Sequence, residues 1–92
     1  MKKKIVILGS TGSIGKNTIS LIKKDKKNFD IKLLSTNKNT SVLIKQAKEF
    51  KVKDVIITDY KKFLETKKKF KNLDINFHNS FSIIDRLFKK KE

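Results

Sequence analysis

The stretch Gly9-Ser10-Thr11-Gly12-Ser13-Ile14-Gly15 restricts this chain more than any other. It follows the apolar run Ile5-Val6-Ile7-Leu8 and precedes a helix-compatible segment from Lys16 to Lys24. Strand, glycine loop and helix in that order form the context in which such a motif binds phosphate. The first glycine lets the chain turn sharply out of the strand. The second lets backbone approach a pyrophosphate, and the third lets helix and strand pack closely. The free N–H groups and the positive end of the helix dipole then face the anion. The spacing is G-x-x-G-x-x-G, a variant of the commoner G-x-G-x-x-G. Glycines also serve plain turns, but all 3 glycines of the chain lie in this one loop, which argues against a turn without a ligand.

The remaining pattern alternates short apolar runs with longer amphipathic ones, the mark of βαβ units and a parallel sheet. The first strand is expected over Lys4 to Leu8, apolar enough to be covered on both faces. A helix follows over Ser13 to Lys24, with Ile14, Thr18, Leu21 and Ile22 on its buried face. Asp25 to Phe29 reads as a polar connection. The second strand spans Asp30 to Ser35, and Thr36 to Thr40 is a loop in which Asn39 or Thr40 can cap the next helix. That helix, Ser41 to Phe50, buries Leu43, Ala47 and Phe50 beside Ile44. A third strand covers Asp54 to Thr58, and Asp59 caps a helix from Tyr60 to Phe70 anchored by Phe63, Leu64 and Phe70. A short strand over Ile75 to Phe77 leads to a last helix, capped by Asn79 or Ser80, with Phe81, Ile84, Leu87 and Phe88 along one side. The Lys89-Lys90-Lys91 tail favours the negative end of that helix and then frays. The expected architecture is α/β, β-α-β-α-β-α-β-α.

At 92 residues there is room for one small domain, and 37% hydrophobic residues can build its core. Without cysteine there is no disulfide framework or thiolate chemistry, which suits the cytoplasm. The apolar runs are too short to span a bilayer. The basic start Met1-Lys2-Lys3-Lys4 precedes only a short apolar run, below the length of a signal-peptide core. The net charge of +15 invites a nucleic-acid reading, yet of 24 basic residues only Arg86 is arginine. Arginine is preferred for bidentate phosphate and guanine recognition. The abundance of Lys, Asn and Ile reads as the imprint of an AT-rich genome, so no specific nucleic-acid partner is expected.

Right-handed crossovers bring the loops after the first and second strands to the same sheet edge. A dinucleotide there lays its pyrophosphate on Gly9–Gly15 and its adenosine ribose against the end of the second strand. An NAD site usually has Asp or Glu at that point. No acid lies between Ile31 and Gln46, which offers Ser35, Thr36, Asn37, Lys38 and Asn39 instead. A cation among neutral hydrogen-bonding groups suits a 2′-phosphate, which a carboxylate would repel, so NADPH is expected over NADH. His78 has no clustered metal ligands, and Ser10 and Ser13 have no histidine partner. No carboxylate cluster suggests a divalent metal. On residues alone this is a dinucleotide-binding half without a catalytic half.

The run Lys4 to Gly15 closely resembles the N-terminus of the 1-deoxy-D-xylulose 5-phosphate reductoisomerase family. Thr36-Asn37-Lys38-Asn39 resembles that family's A-G-K-N turn, Gln46-Ala47-Lys48-Glu49-Phe50 its Q-A-x-E-F helix end, and Val55 to Asp59 its third strand. The likeness covers most of the chain and fades after Phe70. It implies an incomplete Rossmann-like parallel sheet, with residues 1–92 the N-terminal part of an NADPH-binding domain whose catalytic and C-terminal domains are absent. It also implies a bacterial, cytoplasmic, homodimeric enzyme. That enzyme forms 2-C-methyl-D-erythritol 4-phosphate from a phosphosugar in the non-mevalonate isoprenoid route, with NADPH and Mg²⁺ or Mn²⁺. NADPH contacts carry over to Thr11, Gly12, Ser13 and Ile14 and to Lys38 and Asn39. Asn37 replaces the family's glycine, and an asparagine can take the left-handed backbone such a turn would need. The first strand is expected to be an open sheet edge. Another reductase or a semialdehyde dehydrogenase with the same loop is the alternative enzyme. A small basic nucleic-acid-binding protein is the alternative of another class.

Overall fold

In a computed structural model, residues 2–88 are described; the Phe88 side chain and the Lys89–Lys91 tail lie outside that description. The element order is β1 (Lys3–Ile7), α1 (Ser13–Lys23), β2 (Phe29–Thr36), α2 (Thr40–Phe50), β3 (Asp54–Ile57), α3 (Tyr60–Lys69), β4 (Asn76–His78) and α4 (Ile83–Phe88). The four strands form one sheet in the order β1-β2-β3-β4, every pair parallel. This is a Rossmann-like α/β fold, as the alternation of runs predicts.

Three successive right-handed crossovers in one direction place three helices on one face. The main core accordingly joins Ile19 and Ile22 of α1, Leu43 and Ala47 of α2 and Phe63 of α3 to Ile7, Ile31, Leu34, Val55 and Ile57 of the sheet. On the other face, among the described residues, Ile83 and Ile84 of α4 pack with Leu33, Ile56 and Val6. The strand residues with no exposure, Leu33, Leu34, Val55, Ile56 and Ile57, lie in the two inner strands.

Several expectations are corrected. On α1 the buried residues are Gly15, Ile19 and Ile22, while Ile14 and Leu21 are 82% and 67% exposed. The helix is rotated by about one residue, because Gly15 rather than Ile14 must meet the backbone of the first loop. Leu8, expected in the first strand, lies beyond β1 and is 51% exposed. The Asp25–Phe29 connection contains a 3-10 turn over Lys26–Asn28. A bulge between Ile5 and Val6 skips Lys32 in the pairing with β2, so Ile31 and Leu34 share a face although three residues apart.

On α3, Leu64 is 47% exposed and Thr66 is buried instead. Asn79 does not cap α4; its amide donates to the carbonyls of Ile57 (2.9 Å) and Thr58 (3.2 Å). Ser80 accepts from the Ser82 N–H in a local turn, which delays the helix to Ile83. Ile83 then becomes the buried residue, and Phe81 and Leu87 stay outside. The caps Asn39 and Asp59 are where the sequence predicts them, accepting from the N–H groups of Val42 (3.4 Å) and Lys62 (3.0 Å).

Candidate functional site

The glycine loop leaves β1 through Gly9, whose φ of +68° only glycine adopts without strain. Gly12 precedes α1 and supplies no side-chain cap, and the first turn of that helix carries no acid. The cap positions of α2 and α3 hold Asn39 and Asp59, so α1 is the one of these three whose opening amides meet no capping side chain. Three loop amides are used internally: Gly9 N–H donates to Ser35 Oγ (2.8 Å), Ser10 N–H to the Ser35 carbonyl (2.9 Å), and the third is that of Gly12. Gly12 N–H turns back to the Gly9 carbonyl at 3.1 Å. The opening amides of α1 have no intrahelical acceptor. Thr11 N–H likewise has no acceptor among the described residues. The third glycine is a contact residue: a Cβ on Gly15 would lie 2.2 Å from the Gly9 carbonyl oxygen and 2.5 Å from Ser10 Cα.

Gly9 and Gly15 therefore respond differently to alanine. At Gly9 no atom lies within 4 Å of an added Cβ. Gly9→Ala is thus expected to cost only the left-handed backbone penalty, about 1–2 kcal/mol, read as a modest drop in the urea midpoint.

The second loop meets the first through the end of β2. Thr11 Oγ1 and Thr36 Oγ1 are 2.7 Å apart, and Thr36 Oγ1 also accepts the Asn39 N–H at 3.2 Å. Thr11 and the Asn37–Lys38–Asn39 loop thus share one hydroxyl. Ser35 and Thr36, expected to face a ribose, are 3% and 4% exposed and turn inward to the first loop instead. Ser35 Oγ is taken up by the Gly9 N–H and Thr36 Oγ1 by the Thr11 hydroxyl and the Asn39 N–H.

Thr11 is half-buried, while Gly12, Ser13, Ile14, Asn37, Lys38 and Asn39 are exposed on this edge. Asn37 does not take a left-handed backbone: among the described residues Lys51, ending α2, is the non-glycine residue with positive φ. Instead Asn37 Oδ1 accepts from the Thr58 hydroxyl at 2.9 Å, and its carbonyl accepts from Asp59 N–H. Its side chain ties the second loop to the end of β3. Lys38 pairs with no carboxylate among the described residues.

Sequence reasoning missed the buried support beneath these loops. Ser10, Ser35, Thr36 and Gln46 are polar yet nearly inaccessible, and no buried side-chain nitrogen or oxygen among the described residues lacks a partner. The available signal was Gln46, a long amide on the apolar side of an amphipathic helix. His78 sits apart, its Nε2 2.9 Å from Asp54 Oδ1 at the β3–β4 pair. No group of three His, Cys, Asp or Glu side chains among the described residues could hold a metal ion. Among them no helix is long and apolar enough to cross a membrane.

A parallel sheet whose first strand runs through a glycine loop into an uncapped helix, beside an acid-free second loop, defines a Rossmann-like unit of the nucleotide-binding class. Comparison with known proteins narrows the class. Residues 5–89 match the family described as 1-deoxy-D-xylulose 5-phosphate reductoisomerase, and the chain belongs to that family. It is 52% identical over 86 residues to the 1-deoxy-D-xylulose 5-phosphate reductoisomerase of Pelagibacter ubique, covering 94% of this chain and 22% of that protein. With the Thermodesulfovibrio yellowstonii enzyme of the same name it shares 45% over 73 residues, 79% of this chain and 19% of the other.

Among solved structures it superposes on the Zymomonas mobilis reductoisomerase in complex with NADPH. There the TM-score is 0.78 at 26% identity, over 85% of this chain and 21% of that one. A reductoisomerase complex with NADPH, fosmidomycin and magnesium shares the fold at a TM-score of 0.80 and 23% identity, covering 89% of this chain and 20% of its own. The chain spans about a fifth of the length of the relatives it matches.

Proposed function

We infer that this chain is the cofactor-binding portion of a 1-deoxy-D-xylulose 5-phosphate reductoisomerase and that it seats NADPH. The observation that carries the reading is the uncapped start of α1, its open amides held against the end of β2 by the Gly9–Ser35 and Thr11–Thr36 bonds. Thr11, Ser13 and Ile14 offer backbone amides to the pyrophosphate, and Gly12, whose own N–H turns back to the Gly9 carbonyl, lets the anion approach without a side chain in the way. Lys38 offers its ammonium to the 2′-phosphate. Asn37 and Asn39 keep amide nitrogens on the same loop, their oxygens being engaged with Thr58 and Val42. The residues fit the group: open donors lie on this edge, and Lys38 is paired with no carboxylate among the described residues.

In the whole enzyme, bound NADPH supplies the hydride that completes the conversion of the phosphosugar to 2-C-methyl-D-erythritol 4-phosphate. On this reading the chain's part is to bind and orient the cofactor. The Mg²⁺ or Mn²⁺ of the reaction is assigned on this reading to another part of the whole enzyme, in keeping with the lack of any group of three His, Cys, Asp or Glu side chains among the described residues. Residues 1–92 form the N-terminal part of the NADPH-binding domain. That assignment is supported by the free edge of β1 and the apolar cleft beside it, lined by Ile7, Leu8, Ile14 and Thr18. A further parallel strand fits there. The placement of α4 on the opposite face agrees, since a right-handed crossover over that face runs back toward β1. The full enzyme is a cytoplasmic homodimer on this reading.

Calorimetric titration of the chain with both cofactors tests the proposal. NADPH is expected to bind at least about tenfold more tightly than NADH, one charge-assisted contact in an exposed loop supplying the difference. Equal affinities would remove the second loop from the site, and no binding of either would end the assignment.

A further inference from the structure

Gln46 lies in the middle of α2, 36 residues from Ser10 in sequence, and is 7% exposed among Leu43, Ile44 and Ala47. An amide buried there is costly unless both its ends are bonded. Both ends bond to one residue. Gln46 Oε1 accepts from the Ser10 hydroxyl at 2.7 Å, and Gln46 Nε2 donates to the Ser10 carbonyl at 2.9 Å. With Ser10 N–H on the Ser35 carbonyl, every polar group of Ser10 is engaged inside the protein.

The Ser10 carbonyl belongs to the same peptide unit as the Thr11 N–H. In a planar trans peptide these two bonds point in opposite directions. No cis peptide interrupts the chain. Holding the Ser10 carbonyl toward α2 therefore aims the Thr11 N–H away from α2, out of the loop. Thr11 is the first of the amides offered to the anion. Gly15 backs the same Ser10–Gly9 segment from α1, so the peptide cannot yield in that direction.

We propose that Gln46 is a positioning residue for the phosphate loop: its amide fixes the Ser10–Thr11 peptide so that the Thr11 N–H faces the cofactor's pyrophosphate. The proposal rests on the NADPH reading above and deepens it. Its physical basis is preorganisation, since a peptide already oriented need not be ordered when the ligand arrives. Among the described residues the Gln46 amide bonds only Ser10. The second loop keeps its own ties to Thr58 and Val42 through Asn37 and Asn39, so the effect of Gln46 is expected at the pyrophosphate rather than at Lys38.

The test compares NADPH with adenosine 2′-monophosphate, which carries the 2′-phosphate but no pyrophosphate. Gln46→Met keeps length and helix propensity and removes both hydrogen bonds; Gln46→Glu keeps the acceptor and loses the donor. Both variants are expected to bind NADPH about tenfold more weakly and the 2′-monophosphate as the wild type does. Equal weakening of the two ligands would reduce Gln46 to a general structural residue and overturn the proposal. Unchanged NADPH binding would overturn it too.

A measurement on the wild-type chain guards against variants that do not fold. Added inorganic pyrophosphate is expected to shift the Thr11 amide resonance, whereas an unmoved Thr11 signal contradicts the proposed direction of that N–H. Wild-type chain that binds neither NADPH nor the 2′-monophosphate refutes the cofactor reading itself. Wild-type binding with indifferent variants refutes only the role of Gln46.

Discussion

Gly15→Ala is expected to destabilise the chain by about 3 kcal/mol, the upper part of the range for overfilling a packed contact. At an exposed helix position the same change would stabilise, since alanine exceeds glycine in helix propensity by about 1 kcal/mol. Here the added methyl carbon meets the Gly9 carbonyl oxygen at 2.2 Å and the Ser10 backbone at 2.5 and 2.7 Å. All three neighbours are backbone atoms, so no side chain can swing aside. Either α1 moves off the sheet, uncovering Ile19 and Ile22, or the loop moves and breaks the Ser10–Gln46 and Ser10–Ser35 bonds. Both routes also spoil the row of amides, so cofactor binding is lost along with stability. Urea unfolding is the measurement: the midpoint is expected to fall by about 1–2 M for a domain of this size. Ser20→Ala, at an exposed position of the same helix, should leave it unchanged or slightly higher. An unchanged midpoint in Gly15→Ala would show that α1 stands farther from the loop than described.

Lys38→Glu is expected to abolish the preference for NADPH while leaving NADH binding within about twofold of the wild type. The substitution removes a charge-assisted contact, about 1.5 kcal/mol at an exposed position, and sets a carboxylate against the 2′-phosphate. NADPH affinity should therefore drop by more than about tenfold. The wild-type preference should also shrink as salt is raised, because an exposed ion pair is screened within about 10 Å at 0.1 M ionic strength. A preference that survives both the substitution and the salt would place the 2′-phosphate elsewhere. Lys38 is the instructive residue here because lysine is so common in this chain. Its position after β2, with no acid between Ile31 and Gln46, distinguishes it from the other cations.

The order of elements was readable because it rests on local chemistry. Apolar runs between Lys-rich segments mark the strands, and Asn39 and Asp59 each stand three residues before the N–H they cap. The boundaries differ from expectation by a residue or so at most element ends. Larger differences arise where a distant partner competes with the local pattern. Asn79 has the composition of a cap, yet it donates to carbonyls more than twenty residues away, at the end of β3. The bulge at Lys32 similarly hides the true alternation of β2.

The sequence by itself determined the class of fold, the three-glycine turn between β1 and α1 and the absence of any acid between Ile31 and Gln46, all of which depend on residues close together in the chain. Tertiary structure decided which side of α1 is buried, that Ser35 and Thr36 face inward, that Asn37 is tethered to Thr58, and that Gln46 holds Ser10. Those bonds join residues 21 to 36 positions apart. No periodicity can announce them, because a buried hydroxyl or amide takes its partner from whichever element the packed sheet brings within about 3 Å.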